Sequence, residues 1–317
     1  AQHGVSTSIS ATAPTGYSFV EWTITGGNAR FGDALLASTT VTLTSGDATI
    51  QANFVQESYT LTTNVTGSGT VSRSPDQATY LSGSTVDLTA NPSTGYVFDD
   101  WTGDHISTVN PTTVTMDSDK TVTANFILDT YQLTVNTDGT TDATTTPTGT
   151  TPAQHGVSTS ISATAPAGYS FAEWTITDGN ASFGDALLAS TTVTLTSGDA
   201  TIQANFVQDI YTLTTSVNGN GIVVRDPDQT DFLSGEIVTL TANPATGHSF
   251  DNWTGDLTGT TNPASITMSS DKNITANFSL NTYQLTVNTD GTTDATTIPT
   301  GTTPVQHGAS TSISSTA

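Results

Sequence analysis

Apolar and polar residues alternate with a period of two along most of the chain. Val86, Leu88 and Ala90 alternate with Thr85, Asp87 and Thr89, and Val122, Ala124 and Phe126 alternate with Thr121, Thr123 and Asn125. Tyr131, Leu133 and Val135 alternate with Gln132 and Thr134. Such stretches predict strands with one buried face and one threonine-rich wet face. Gly67-Ser68-Gly69, Asn218-Gly219-Asn220-Gly221, Asp138-Gly139, Ser45-Gly46-Asp47 and Asp117-Ser118-Asp119 predict turns between them. The aromatic clusters break the period, because Phe98 and Trp101 are three residues apart. A β-bulge, or a tryptophan on the opposite face, accounts for that spacing. Only Gly32–Ala37 and its copy at 184–189 predict a helical turn.

The same pattern recurs on a larger scale. Ala1-Gln2-His3-Gly4 returns at Ala153 and, as Val305-Gln306-His307-Gly308, once more, with a period of 152 residues. Residues 1–55 and 153–207 differ at four positions only, Thr15/Ala167, Val20/Ala172, Gly26/Asp178 and Arg30/Ser182, which points to an array of modules. Ala-Asn-Phe at Ala52, Ala124, Ala204 and Ala276 divides the period again, each time ahead of a strand-opening tyrosine: Tyr59, Tyr131, Tyr211 and Tyr283. The expected units are 57–128 and 209–280 (short type) and 129–208 (long type), with partial units at 1–56 and 281–317. One aromatic cluster per unit is the expected core: Tyr96, Phe98 and Trp101; Tyr169, Phe171 and Trp174; Phe250 and Trp253. Each is joined by the phenylalanine of Ala-Asn-Phe, which is Phe126, Phe206 or Phe278. The linkers, such as Val55-Gln56-Glu57-Ser58 and Ile127-Leu128-Asp129-Thr130, hold no Gly or Pro, so the array reads as a semi-rigid rod.

Composition narrows the function. A formal net charge of −23, from 28 acidic and five basic residues, disfavours nucleic acid and anionic membrane surfaces. No apolar run reaches the length of a membrane span. With no cysteine, disulfides and thiolate chemistry are excluded.

The ordered motifs carry a resemblance. Unit 57–128 runs Tyr59-Thr60-Leu61-Thr62, Gly67-Ser68-Gly69-Thr70-Val71, Tyr80-Leu81-Ser82-Gly83, Asn91-Pro92, Gly95-Tyr96-Val97-Phe98, Trp101-Thr102-Gly103-Asp104 and Ala124-Asn125-Phe126. Unit 209–280 repeats this order, and the long units keep its ends but have longer loops. This series resembles the divergent internalin-B-type repeat family of bacterial and archaeal surface proteins. The resemblance implies small, β-rich, grasp-like modules in extracellular stalks or adhesive spacers; the absence of an evident helix leaves an all-β, Ig-like sandwich as the alternative fold. It brings no catalytic residues. The adhesin reading has a glycan or protein bound by loops of the long units.

Candidate chemistry is sparse. His3, His155 and His307 supply one histidine per unit, too few for a metal, and read as solvated loop residues. Asp117 and Asp119, and Asp138 and Asp142, are the calcium candidates, although neither pair has the EF-hand spacing. No other cofactor is expected. Tryptophans could stack on sugars, but beside Tyr and Phe they read as core. The only lysines, Lys120 and Lys272, read as turn residues, which leaves lysine crosslinks without a pattern. Sequons stand at Asn64, Asn180, Asn252, Asn273 and Asn277.

The ends are complementary. Residues 1–56 lack an opening hairpin, and 281–317 supply one. Two expectations follow: either covalent neighbours complete both ends in a longer array, or the tail of one molecule completes the head of the next.

Overall fold

Alternation forces each strand of unit 57–128 to hide every second side chain, and two sheets supply the cover. In the computed structural model, which describes residues 4–316, one sheet of this unit is antiparallel. Thr85–Pro92 lies between Gly69–Ser74 and Thr112–Thr115. The other sheet is mixed, with Lys120–Leu128 between Tyr96–Gly103 (antiparallel) and Leu61–Thr66 (parallel). Val86, Leu88, Ala90 and Val114 from the first sheet meet Leu61, Trp101, Val122, Ala124 and Phe126 from the second in one core. Unit 209–280 repeats the plan. The chain is therefore all-β, a tandem series of small sheets. The first strand of a unit pairs parallel with its last, as in a grasp, but no helix forms among the described residues, and a second sheet covers the core. The parallel pair also separates the unit from a wholly antiparallel sandwich.

The three-residue aromatic spacing is a bulge. Phe126 pairs with Phe98 and Asn125 with Asp100, so Asp99 is the extra residue. The shift recurs opposite Asn53, Asn205 and Asn277. It turns Phe98 and Trp101 to the same face, with ring centroids 5.3 Å apart. An added residue restores what a period of two would forbid.

The long unit uses one strand twice. Ser190–Thr194 pairs with Ser158–Ser162, and Ala200–Ala204 of the same strand pairs parallel with Leu133–Thr137. Ser45-Gly46-Asp47, expected as a turn, lies inside Ser38–Gln56, as its copy Ser197-Gly198-Asp199 lies inside Ser190–Gln208. The expected helical turn at Gly32–Ala37 is an open turn in which Asp33 accepts the Leu35 N–H at 2.9 Å. Lys120 and Lys272 open strands and do not sit in turns.

Candidate functional site

The four tryptophans are the largest aromatic side chains and the first candidates for ligand stacking. Trp101, Trp174 and Trp253 are buried at 2% exposure or less, and Trp22 at 9%. Each indole N–H is taken by a backbone carbonyl: Leu36, Val109, Leu188 and Thr261 respectively for Trp22, Trp101, Trp174 and Trp253. They are packing groups, and the sugar-stacking alternative does not fit them. Phe126 and Phe278 are buried, while Tyr96, Phe98, Phe171, Phe206 and Phe250 are half-buried against the cores. Tyr169 is half-buried and stands outside the core cluster of its unit.

Two of the calcium candidates, Asp119 and Asp138, serve the backbone. Asp119 accepts the N–H and the hydroxyl of Thr60 at 2.7 and 2.9 Å, closing the start of the parallel pair. Asp271 does the same for Thr212, and Asp199 for the Gln132 N–H. The Thr60 N–H, then its hydroxyl, holds the Asp119 carboxyl below its ordinary value. Asp117 pairs with Lys120 at 2.6 Å, which lowers its pKa by hydrogen bond and by charge. Burial raises the Asp138 carboxyl, but donation by the Phe206 N–H and by Thr140 outweighs it, and the net shift is downward. Asp142 takes a left-handed backbone, φ 63°, in the adjoining turn. Among the described residues no three acidic or histidine side chains converge as a metal site. With the oxygens of Asp117, Asp119 and Asp138 engaged by N–H and O–H donors, a chelator is expected to leave the melting temperature unchanged; a fall on chelation would restore a calcium role.

The distinctive geometry lies at the joints between units. At every joint one linker residue bridges the two neighbours through both of its backbone groups. Glu57 donates its N–H to the Gly16 carbonyl of the preceding unit, and its carbonyl accepts the Ser82 N–H of the following unit, both at 2.8 Å. Asp129 does this between Gly95 and His155 at 2.9 Å, and Asp209 between Gly168 and Ser234 at 2.9 and 2.8 Å. Asn281 does it between Gly247 and His307 at 2.8 Å.

Side chains double the clasp at three joints. Glu57 accepts the hydroxyls of Ser18 and Tyr59, one from each side, at 2.7 Å each. Asp209 accepts from Ser170 and Tyr211, and Asn281 accepts from Ser249 and donates to Tyr283. Gln56 and Gln208 donate across to the carbonyls of Ser82 and Ser234. The Asp129 joint has Val97 where the others have serine, and His155 packs there against Gly95. Its ring packs edge-on to Tyr131, with centroids 5.9 Å apart and the phenol 3.3 Å from Nδ1. His155 is thus a half-buried joint residue and not a solvated one. His307 is exposed but takes the same place beside Tyr283. His3 lies outside the described residues.

Sequence reasoning missed Gly16, Ser82, Gly95 and Gly168 as joint residues. The available signal was the recurrence of Gly-Tyr or Gly-His before each aromatic cluster and of Leu-Ser-Gly in each short unit.

The clasp has a pH sign. The Ser18 hydroxyl, then the Tyr59 phenol, hold the Glu57 carboxyl below its ordinary value. Its contribution is complete above the free carboxyl's pKa and is lost as pH falls through the lower, clasped value. An NMR titration is expected to give a Glu57 midpoint below that of an unstructured glutamate, and Glu57→Gln should remove this acid response. A midpoint at or above the free value contradicts the clasp.

No curated protein matches the chain. A solved structure, the Bacillus anthracis TIE protein, is similar at 10% identity and a TM-score of 0.33, covering 86% of this chain and 67% of that one; likeness at that level carries no argument. The divergent InlB B-repeat domain matches four times, at residues 1–58, 59–130, 131–210 and 211–282. Each match ends two residues after the expected boundary, just beyond the bridging residue. Tandem matches over most of its length, on repeated all-β units, place the chain in the divergent InlB B-repeat family.

Proposed function

We propose that this segment is a non-catalytic spacer of an extracellular cell-surface protein, a stalk whose clasped joints fix the angle between successive units. The observation that carries the reading is the joint: the same two-sided backbone bridge at all four linkers. A tether that only connects needs no such bonds and would be rich in Gly and Ser. The acidic surface keeps such a stalk soluble and repels nucleic acid. Its partners are first its own neighbouring units. Small-angle scattering tests the reading. A stiff spacer gives the skewed pair-distance function of a rod, and the broad, featureless curve of a coil would sink it.

A second reading, an adhesin, is favoured by one feature of the long units. Leu35, Leu36, Leu187 and Leu188 stand exposed on the turn that caps the tryptophan, at the same place in each copy. A glycan array on the full chain separates the two readings: saturable binding lost in Leu187→Ser/Leu188→Ser supports adhesion, and no binding supports the spacer.

A further inference from the structure

Tension on a tandem array enters each unit through its first strand and leaves through its last. In the three complete units these strands are hydrogen-bonded neighbours that run parallel: Leu61–Thr66 with Lys120–Asn125, Leu133–Thr137 with Ala200–Ala204, and Leu213–Asn218 with Lys272–Asn277. Parallel strands share a direction, so the chain enters at one end of the pair and leaves at the other. A pull on the two linkers therefore slides one strand along the other. The bonds of a parallel ladder are evenly spaced, so they take this load together. An antiparallel first–last pair would put both linkers at one end, and the same pull would open its bonds one after another.

Side chains clip both ends of each pair. At the entry end the carboxylates of Asp119, Asp199 and Asp271 accept the N–H groups of Thr60, Gln132 and Thr212, bonds that the ionised acceptor strengthens. At the exit end the Thr66 hydroxyl donates to the Asn125 side chain, and the Asn218 amide donates to Asn277 at 3.1 Å. In the long unit the Asp138 N–H reaches the Ala204 carbonyl, and the Asp138 carboxylate accepts the Phe206 N–H. All of these bonds lie outside the ladder, yet all must break in the same sliding step. The linkers add no slack. A single residue separates the last strand of one unit from the first of the next, Asp129 between Leu128 and Thr130 and Asp209 between Gln208 and Ile210. Load passes directly from one pair to the next.

We propose that this segment is a load-bearing tether, in which the parallel first–last strand pair of each complete unit is a shear clamp against force applied along the array. This function deepens the stalk reading and rests on it for the direction of the load. The two are tested apart: scattering reads the joints at rest, and a chain of loosely jointed units would still hold force within each one.

Single-molecule pulling on the full chain, through cysteines introduced into a sequence that has none, tests the clamp in unit 57–128. Ser58→Cys with Ile127→Cys applies force at opposite ends of the strand pair and loads it in shear. Val65→Cys with Ile127→Cys applies force at the same end of the same two strands and peels them apart. All three positions are exposed, and unchanged tryptophan emission shows that both variants keep their cores. Forced unfolding follows the barrier to unfolding and not the equilibrium stability, so the two geometries can differ within one unit of unchanged fold. At one loading rate the shear variant is expected to rupture at a several-fold higher force than the peeling variant. Equal rupture forces in the two geometries, or a higher force on peeling, overturn the proposal, whatever scattering shows of the joints.

Discussion

Trp101→Ala is expected to unfold the unit at 57–128 while its neighbours stay folded. Trp101 has no exposed surface, its ring sits 5.3 Å from Phe98, and Phe98 meets Phe126 edge-on at 6.2 Å. Removing the indole empties the centre of the core between the two sheets and frees the Val109 carbonyl, which then turns to water. Truncations of this kind cost about 3–5 kcal/mol. A single core in a domain of this size supplies about the same, roughly 3–5 kcal/mol. The unit thus loses most or all of its stability. The neighbouring units hold because each complete unit has its own core cluster, and arrays of this kind behave as nearly independent modules. Hydrogen exchange with mass spectrometry reads the result: protection lost across 57–128 and kept across 129–280. Loss throughout the chain would show that the units are not independent. A destabilisation under about 1 kcal/mol would show that Trp101 is not the core's keystone. Trp22→Ala should cost less, since Trp22 keeps 9% of its surface.

Gly95→Ala is expected to open the joint between 57–128 and 129–208 without unfolding either side. Gly95 holds φ at +79°, and a Cβ built there would lie 2.0 Å from Cδ2 of His155. The left-handed backbone alone costs an L-residue about 1–2 kcal/mol. The imidazole must then swing out, losing its edge-on contact with Tyr131 and straining the Gly95 carbonyl that accepts the Asp129 N–H. Gly139→Ala is the matched comparison. Its φ is +94° with nothing within 4 Å of the added carbon, so it carries the backbone cost without the collision. Both variants should melt within a few degrees of each other, a cost of about 1 kcal/mol corresponding to roughly 4–8 °C for a domain this small. Only Gly95→Ala should broaden the distance between the two units. Equal broadening in both would remove His155 from the joint.

The strands were legible because burial acts on every second residue. Val86, Leu88 and Ala90 declare their face with no knowledge of the partner sheet. The bulge was legible only as one of two readings of the three-residue spacing, and the structure decides for it by placing Phe98 and Trp101 on one face with Asp99 as the extra residue. The linkers lack Gly and Pro, and from that a stiff rod is expected. The backbone bridges at the joints could not be read, because Gly95, Asp129 and His155 meet only after two units have folded. His155 therefore looked like a lone loop residue, and Asp119 looked like a cation ligand when its carboxylate closes a strand pair 59 residues away in sequence. The strand Ser190–Gln208 was hidden for another reason. Ser197-Gly198-Asp199 has the composition of a turn, but the chain passes from one strand pairing to the other there without reversing.

The central claim is that clasped joints hold successive units at fixed angles. The cysteine-free chain allows two spin labels to be placed without background. Thr70→Cys and Thr196→Cys put them on exposed strand positions of neighbouring units. Double electron–electron resonance should then give a single narrow distance distribution, as wide as that of two labels within one unit. A distribution broad enough to match freely jointed units would contradict the account.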